Sequence, residues 1–120
     1  MLETWLYADL RQMPSVKQLT GRVFSQDESA NKIGVRVTEN GEPVTLSGTV
    51  KAYVIKQDGT TLDITGTASE NEAYVILPAT AYTVVGEIGV FIRIETEDQT
   101  VTLGGVEGYV YPSIIGQSIT

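Results

Sequence analysis

Carboxylates are the only plentiful side chains in this sequence that could act as an acid, a base or a nucleophile. The chain has 120 residues, with 15 acidic and 8 basic side chains, and contains no cysteine and no histidine. It therefore lacks a thiol nucleophile, an imidazole base, a disulfide and the usual zinc ligands. A glycosidase-like mechanism would need two carboxyl groups held roughly 5 to 9.5 Å apart. The candidates are Asp27, Glu28, Asp63, Glu70, Glu72, Glu95, Glu97 and Asp98.

Nearly all of these acids fall in predicted turns or at outward strand positions, where carboxylates are ordinarily solvated. We therefore predict that the protein is not an enzyme and uses no cofactor. The net charge of −7 argues against nucleic acid as a partner, because such binding depends on clustered Lys and Arg. We also expect no membrane span, because no segment approaches the roughly 20 apolar residues that a bilayer requires, and the N-terminus has no export signal.

The loop from Ser25 to Asn31 offers several oxygen ligands in one short stretch, as a calcium site would. It lacks the alternating Asp and Asn residues and the central glycine of a dedicated calcium loop. We therefore predict a polar connection stabilised by Asp or Asn side chains, and no metal site.

The elements that carry these residues are predicted to be strands. Thr, Val and Ile make up nearly a third of the chain, and β-branched residues suit a pleated, half-buried surface. Apolar and polar residues also alternate in several runs, as in a strand with one buried face. The predicted strands are 15–24, 32–39, 49–56, 61–67, 73–77, 86–96 and 100–111. About seven short strands predict an all-β fold, an antiparallel two-sheet immunoglobulin-like β-sandwich.

Turn residues separate the predicted strands. Asn40-Gly41 and Asp58-Gly59 tolerate positive φ, so each is expected to reverse the chain in a tight turn. The second pair should close a hairpin, whereas Pro43 predicts a looser connection after the first. Gly104-Gly105, inside the last strand, indicates a β-bulge or a close approach of backbone.

Both ends of the chain are rich in apolar residues. We divide the chain into an N-terminal arm (1–14), a β-sandwich domain (15–112) and a C-terminal tail (113–120). Near-helical apolar spacing in the arm predicts an extended or short-helical segment that packs on its own domain or docks on a partner. The residues expected to dock are Leu2, Trp5, Leu6, Tyr7, Leu10, Met13, Ile114 and Ile115.

Tyrosines in the predicted strands suggest a second type of binding surface. If they share one sheet face, Tyr53, Tyr74, Tyr109 and Tyr111 would form an aromatic platform for a glycan. Half-buried tyrosines are also ordinary packing residues in strands. A carbohydrate-binding or host-adhesion module is therefore the alternative function.

Three segments of the sequence carry a distinctive set of turn motifs. The stretch 35–48 contains the Asn40-Gly41-Glu42-Pro43 turn and the Leu46-Ser47-Gly48 step. The hairpin Lys56-Gln57-Asp58-Gly59 follows, and a later strand ends in Leu77-Pro78. Together these segments resemble the N-terminal domain of baseplate upper proteins from phages of Gram-positive bacteria, and the resemblance covers about residues 15–111. The chain departs from the family at Ser25-Gln26-Asp27-Glu28, where a Gly-Asp pair is usual.

The resemblance implies a virion structural module that multimerises and has no catalytic activity. Because the chain stops at Thr120, without the linker and receptor-binding region of that family, it is also similar to small phage head-decoration or head-fibre proteins. We therefore expect a non-enzymatic, oligomeric accessory protein of a phage particle, located on the capsid, in a head fibre or at a baseplate. Its expected partners are other virion proteins and further copies of itself. It would be synthesised in the host cytoplasm and reside in the virion.

Overall fold

The computed structural model describes residues 2–10, 15–18, 24–25 and 31–112. These residues form strands connected by turns, with one 3-10 turn at Ala79–Tyr82. The strands are β1 (Leu2–Asp9), β2 (Ser15–Gln18), β3 (Phe24–Ser25), β4 (Asn31–Glu39), β5 (Glu42–Pro43), β6 (Thr49–Lys56), β7 (Thr61–Thr65), β8 (Thr67–Ser69), β9 (Glu72–Ile76), β10 (Gly86–Glu95) and β11 (Thr100–Tyr111). The predicted all-β class is confirmed. No helix in these ranges is long and apolar enough to cross a membrane.

The strands form two sheets that pack face to face. The first sheet has the order β1-β4-β9-β8, and β5 also pairs with β4. The second has the order β2-β11-β10-β6-β7, and β3 also pairs with β11. Most pairs are antiparallel, but β1 runs parallel to β4, and β2 and β3 run parallel to β11. The predicted two-sheet sandwich is therefore confirmed, with more and shorter strands than expected.

The core lies between the sheets and is built by the alternation seen in the sequence. Ile33, Val35 and Val37 of β4 point inward, and so do Val50, Ala52 and Val54 of β6. The other buried hydrophobic strand residues are Leu6, Ala73, Val75, Ile88, Val90, Ile92, Ile94, Leu103, Val106 and Val110. Burying one such aliphatic side chain contributes roughly 1.5–3 kcal/mol, so this layer holds the two sheets together.

The N-terminal segment is extended and packs on its own domain, one of the predicted alternatives, but it forms a full strand of the sandwich instead of a separate arm. Leu2–Asp9 is neither a helix nor an arm outside the sandwich, because it pairs along its whole length with Asn31–Glu39 in the first sheet. Leu6 is only 5% exposed and belongs to the core. The four-residue spacing of Leu2 and Leu6 fits two repeats of a strand as well as one turn of a helix, and pairing with β4 decides between them. The C-terminal tail at 113–120 lies outside the described residues.

The turn predictions are confirmed. Asn40 and Gly41 both have positive φ, 52° and 84°, and join β4 to β5. Gly59, with φ of 86°, closes the hairpin of β6 and β7. A register shift after Ile92 leaves Leu103 bulged beside Gly104. The predicted strand 61–67 divides at Gly66, since β7 lies in the second sheet and β8 in the first.

Candidate functional site

The outer face of the first sheet carries a cluster of aromatic and basic side chains, which we call the stacked cluster: Trp5, Tyr7, Lys32, Arg36 and Tyr74. The strands bring these residues together because β1 and β9 flank β4 at the same rung. Gly34 pairs with Trp5 on one side and with Tyr74 on the other. Arg36 pairs with Tyr7. Residues paired across neighbouring strands point to the same face, so all five meet there.

Both basic residues of the stacked cluster lie over aromatic rings. Arg36 Cζ is 4.2 Å from the centre of the Trp5 ring, and Lys32 Nζ is 4.1 Å from the centre of the Tyr74 ring. The two rings contact each other edge to face, with centroids 6.3 Å apart. These are favourable cation–π and aromatic geometries. The cations therefore hold the aromatic side chains of three strands in place.

Hydrogen bonds complete the cluster. Arg36 Nε donates to Glu72 Oε2 at 2.8 Å, and Arg36 Nη1 donates to the Tyr7 hydroxyl at 3.1 Å. These bonds, that to Glu72 first, raise the pKa of Arg36 above its ordinary value, so its charge is retained across the physiological range. Trp5 Nε1 donates to Glu3 at 2.9 Å. The cluster is thus satisfied by residues of its own chain.

Gly34 makes the position of Trp5 possible. The Trp5 ring lies directly on Gly34, and a Cβ at that position would collide with the ring atoms Cζ3, Cε3 and Cη2. A larger residue would displace the ring from the sheet.

The outer face of the second sheet holds a groove of about 530 Å³, lined mainly by β6, β10 and β11. Its floor is made by Gly89, and Phe91 lies across the neighbouring glycines. A Cβ on Gly105 would be 2.5 Å from Cδ1 of Phe91, and one on Gly89 would be 2.8 Å from Cε2. Because these contacts fall on opposite edges of the ring, the ring lies along the sheet. The other residues that line the groove are Ile55, Lys56, Gln57, Glu87, Ile88, Glu107, Gly108, Tyr109 and Tyr111.

Three of the eight predicted acid/base candidates are ion-pair partners of basic residues. Asp63 accepts from Arg93 Nη2 at 2.9 and 3.0 Å, and Glu95 lies 3.3 Å from Arg93 and 3.9 Å from Lys51. Glu72 holds Arg36. Glu70 lies in a turn with φ of 54°. Asp27 and Glu28 lie outside the described residues, and Glu97 and Asp98 are exposed in the turn between β10 and β11.

The predicted oxygen-rich loop is represented only by its ends in the described ranges. Asn31 is 3% exposed and donates from Nδ2 to the Tyr82 hydroxyl at 2.8 Å. This buried bond fixes the start of β4 against the 3-10 turn, which is a structural function. Within the described ranges, no three His, Cys, Asp or Glu side chains are placed to hold a metal ion.

The predicted docking residues occupy different environments. Leu6 is in the core, a correction to its predicted function, whereas Tyr7 is 71% exposed and Leu10 is 43% exposed. Trp5 is half-buried in the stacked cluster. Leu2 begins β1. Met13, Ile114 and Ile115 lie outside the described residues.

The four tyrosines of the predicted platform do not share a face, which corrects the expectation of a single surface. Tyr74 belongs to the stacked cluster on the first sheet. Tyr53, Tyr109 and Tyr111 are exposed on the second sheet, where the last two stack edge to face at 5.1 Å. The crossing at Gly66 separates Tyr74 from the others.

Lys32, Arg36 and Phe91 were not among the predicted site residues. One signal was available. In β1 and β4, charged and aromatic residues occupy every second position opposite the core residues, and pairing of the two strands places them side by side.

The fold is similar to that of a solved phage protein domain. The structure described as the N-terminal domain of phage TP901-1 ORF48 matches with a TM-score of 0.52 and 11% sequence identity. The match covers 94% of this chain and 99% of that domain. At this identity the likeness concerns the fold. No protein-family model and no curated protein sequence matches the chain.

Proposed function

We propose that this chain is a non-enzymatic structural protein of a bacteriophage virion, an oligomeric accessory module that docks on other virion proteins. The single observation that supports this is the fold match, which extends over 94% of the chain and 99% of a domain from a phage protein. The module would decorate the capsid, form part of a head fibre or anchor at a baseplate. It would be made in the host cytoplasm and carried in the particle.

The non-enzymatic part of the proposal is supported by the arrangement of the acids. Asp63, Glu72 and Glu95 are each held by an arginine, so these carboxylates act in ion pairs on the sheet surfaces. For docking we propose the exposed part of the N-terminal strand. Tyr7 and Leu10 are among the largest exposed apolar side chains, and exposed aromatic residues commonly supply much of the binding energy at interfaces.

The virion location is tested by mass spectrometry and electron microscopy of particles purified from the phage that encodes this chain. We expect the protein in stoichiometric amounts, with density for a sandwich at a symmetric position on the particle. Absence from purified particles would refute the virion role. Light scattering on the purified chain tests self-association, and a strict monomer at all concentrations would refute the oligomer.

The docking surface is tested separately by substitution. Particles assembled with Tyr7→Ser and Leu10→Ser should carry at least about tenfold less of the protein, the effect of losing about 1.4 kcal/mol of binding. Val85→Ser is the matched control, because Val85 is 39% exposed but lies far along the chain from β1. Normal incorporation of the double variant would locate docking elsewhere.

A carbohydrate-binding or host-adhesion module is the second candidate. It is favoured by one observation, the shared exposed face of Tyr53, Tyr109 and Tyr111. Glycan-array binding that is lost on Tyr→Ala substitution at these three positions would support it. Tyr74→Ala is the control, since Tyr74 lies on the opposite sheet. A silent array would count against this candidate.

A further inference from the structure

The groove on the second sheet lies across paired residues of β6, β10 and β11. Two rungs span all three strands, Tyr53-Phe91-Gly105 and Ile55-Gly89-Glu107, and in the next rung Glu87 pairs with Tyr109. Gln57 follows β6, and its Oε1 accepts from the Glu87 backbone N–H at 2.8 Å. Gly89 has no side chain, and the Phe91 ring lies over it, because a Cβ on Gly89 would be 2.8 Å from the ring atom Cε2. A ligand in the groove would therefore contact an aromatic ring that lies on the sheet.

Two carboxylates lie on the same face as this ring. Glu107 pairs directly with Gly89, and Glu87 pairs with the next outward residue, Tyr109. Glu87 and Glu107 are therefore diagonal neighbours on one face, a relation that places Cβ atoms within about 7–8 Å. Both side chains are exposed. Neither carboxylate forms a salt bridge with any residue that the structure describes.

The stacked cluster shows how this chain combines the same types of side chain when a cation is present. There, Arg36 lies 4.2 Å from the Trp5 ring and donates to Glu72 at 2.8 Å. A single cation thus contacts an aromatic face and a carboxylate together. The groove is also lined by aromatic residues and two carboxylates, but neither carboxylate forms a salt bridge with a residue that the structure describes.

The basic residues nearest the groove are already engaged. Lys56 lines it, but its ammonium turns inward and donates to Thr83 Oγ1 at 2.9 Å. Lys51 and Arg93 pair with Glu95 and Asp63. Lys32 and Arg36 belong to the opposite sheet. These five basic residues therefore each have a partner in their own chain and none of them forms a salt bridge with Glu87 or Glu107, so the two carboxylates point to a basic side chain of another protein.

We propose that this groove binds a lysine or arginine side chain presented by a partner protein. The ammonium or guanidinium group would lie over Phe91 and beside Glu87 and Glu107, while the apolar stem of the side chain contacts Ile55 and Tyr109. Charge complementarity carries the assignment, because a cation at this position would gain a cation–π contact and charge-assisted hydrogen bonds to two carboxylates together. The proposal does not depend on a virion location, since it concerns the chemistry of the groove alone.

The test is an NMR titration of the full-length, isotope-labelled chain with small probes. Pentapeptides with a central lysine or arginine between glycines represent the partner, and the norleucine peptide controls for the apolar stem. Choline represents a non-protein cation and N-acetylglucosamine a saccharide. We expect the amides of Gly89, Glu107, Gly108 and Tyr109 to shift with the lysine or arginine peptide, with millimolar affinity, and to shift far less with norleucine.

Charge substitutions make the test specific. Glu87→Gln with Glu107→Gln should weaken binding of the basic peptide by about tenfold, and each single change by about threefold. Glu97→Gln is the matched control, because it removes the same charge from an exposed turn. The spectra report at the same time whether each variant keeps its fold.

Several outcomes would overturn the proposal. No shift with either basic peptide at about 20 mM would do so, since a cation site of this kind binds in the millimolar range. Equal shifts with norleucine would indicate an apolar groove with no charge selectivity. Stronger shifts with N-acetylglucosamine would assign the groove to a saccharide. Stronger shifts with choline would assign it to a small quaternary ammonium ligand.

Discussion

The outer faces of the two sheets are made from the same classes of side chain, but only one of them is complete within the chain. On the first sheet, Lys32 and Arg36 occupy the space between Trp5 and Tyr74, and Glu72 balances the charge. On the second sheet, aromatic residues and carboxylates line a groove in which the Phe91 ring lies over Gly89. Aromatic content alone therefore does not identify a binding surface. On the first sheet the rings already contact basic side chains of the same chain, whereas on the second sheet, within the described residues, no basic side chain lies over a ring.

The two faces should therefore respond differently to substitution. Changes in the stacked cluster should alter the stability of the fold, because its residues tie β1, β4 and β9 together. Changes around the groove should alter ligand binding and leave stability nearly constant. Substitutions on both faces test this difference, and the first concerns β1, the strand that carries Trp5 and Tyr7.

The largest effect is expected for Leu6→Ala. Leu6 is 5% exposed in the core, and truncating a buried leucine costs about 2–5 kcal/mol through lost contacts and the resulting cavity. We expect the free energy of unfolding, measured in urea, to fall by about 3 kcal/mol. Leu10→Ala is the control, because Leu10 is 43% exposed, and it should change stability by less than about 0.5 kcal/mol. If Leu6→Ala lowered the free energy of unfolding as little as Leu10→Ala does, β1 would not be part of the folded domain.

The N-terminal strand also shows where prediction from sequence fails. The segment contains two patterns at once: the spacing of Leu2, Leu6 and Leu10 resembles a helix, while Thr4, Leu6 and Ala8 alternate with Trp5 and Tyr7 as in a strand. A short segment cannot decide between them locally. The choice is made by pairing with β4, more than twenty residues away, and such a contact leaves no mark in the local sequence.

The second effect concerns the ring at the centre of the stacked cluster. Trp5→Ala removes the surface against which Arg36 and Tyr74 pack. For a half-buried tryptophan on an edge strand we expect a loss of about 2 kcal/mol in urea unfolding, below the range for fully buried positions. Tyr109→Ala on the second sheet should cost less than about 1 kcal/mol, because Tyr109 is 40% exposed. If Tyr109→Ala lowered the free energy of unfolding more than Trp5→Ala, the outer face of the second sheet, and not that of the first, would be the face that stabilises the fold.

The third effect compares carboxylates on the two faces. Glu72→Gln weakens the 2.8 Å contact with Arg36, and we expect the melting temperature to fall by about 3 °C at low salt, with a smaller fall at high salt. Glu87→Gln should leave it within about 1 °C, because Glu87 has no salt bridge among the described residues. Differential scanning calorimetry measures both. A matching fall for Glu87→Gln would show that the groove carboxylates already have a stabilising partner.

The faces themselves were only partly predictable from the sequence. Strand positions 49–56, the hairpin at Asp58-Gly59 and the bulge near Gly104 follow from alternation and turn chemistry, which are local. The placement of Tyr74 is not local, since it depends on the crossing between sheets at Gly66. Phe91 was seen as a strand residue, but its exposure as a flat ring depends on Gly105, a neighbour on another strand. Local patterns predict the strands, but which residues meet on one face depends on the order of the strands in each sheet.

The smallest effect is a pH dependence in the turn at the end of the second sheet, where a carboxylate is satisfied by its own chain. Asp58 accepts hydrogen bonds from the Thr60 hydroxyl at 2.6 Å and from the Thr60 backbone N–H at 2.9 Å. These bonds, the hydroxyl first, lower the pKa of Asp58 below its ordinary value. Because the native pKa lies below the unfolded one, this stabilisation is present above about pH 4 and is lost as the pH falls through the native pKa.

In an NMR titration, Thr60→Val should raise the midpoint at which Asp58 titrates, since the strongest donor is removed while the backbone donor remains. Thr61→Val, one residue further along the exposed start of β7, should leave the midpoint unchanged. An unchanged Asp58 midpoint in Thr60→Val would mean that the Thr60 hydroxyl does not stabilise this carboxylate. Asp58 would then no longer be an example, on the second sheet, of a carboxylate that has its partner within the chain, in contrast to Glu87 and Glu107.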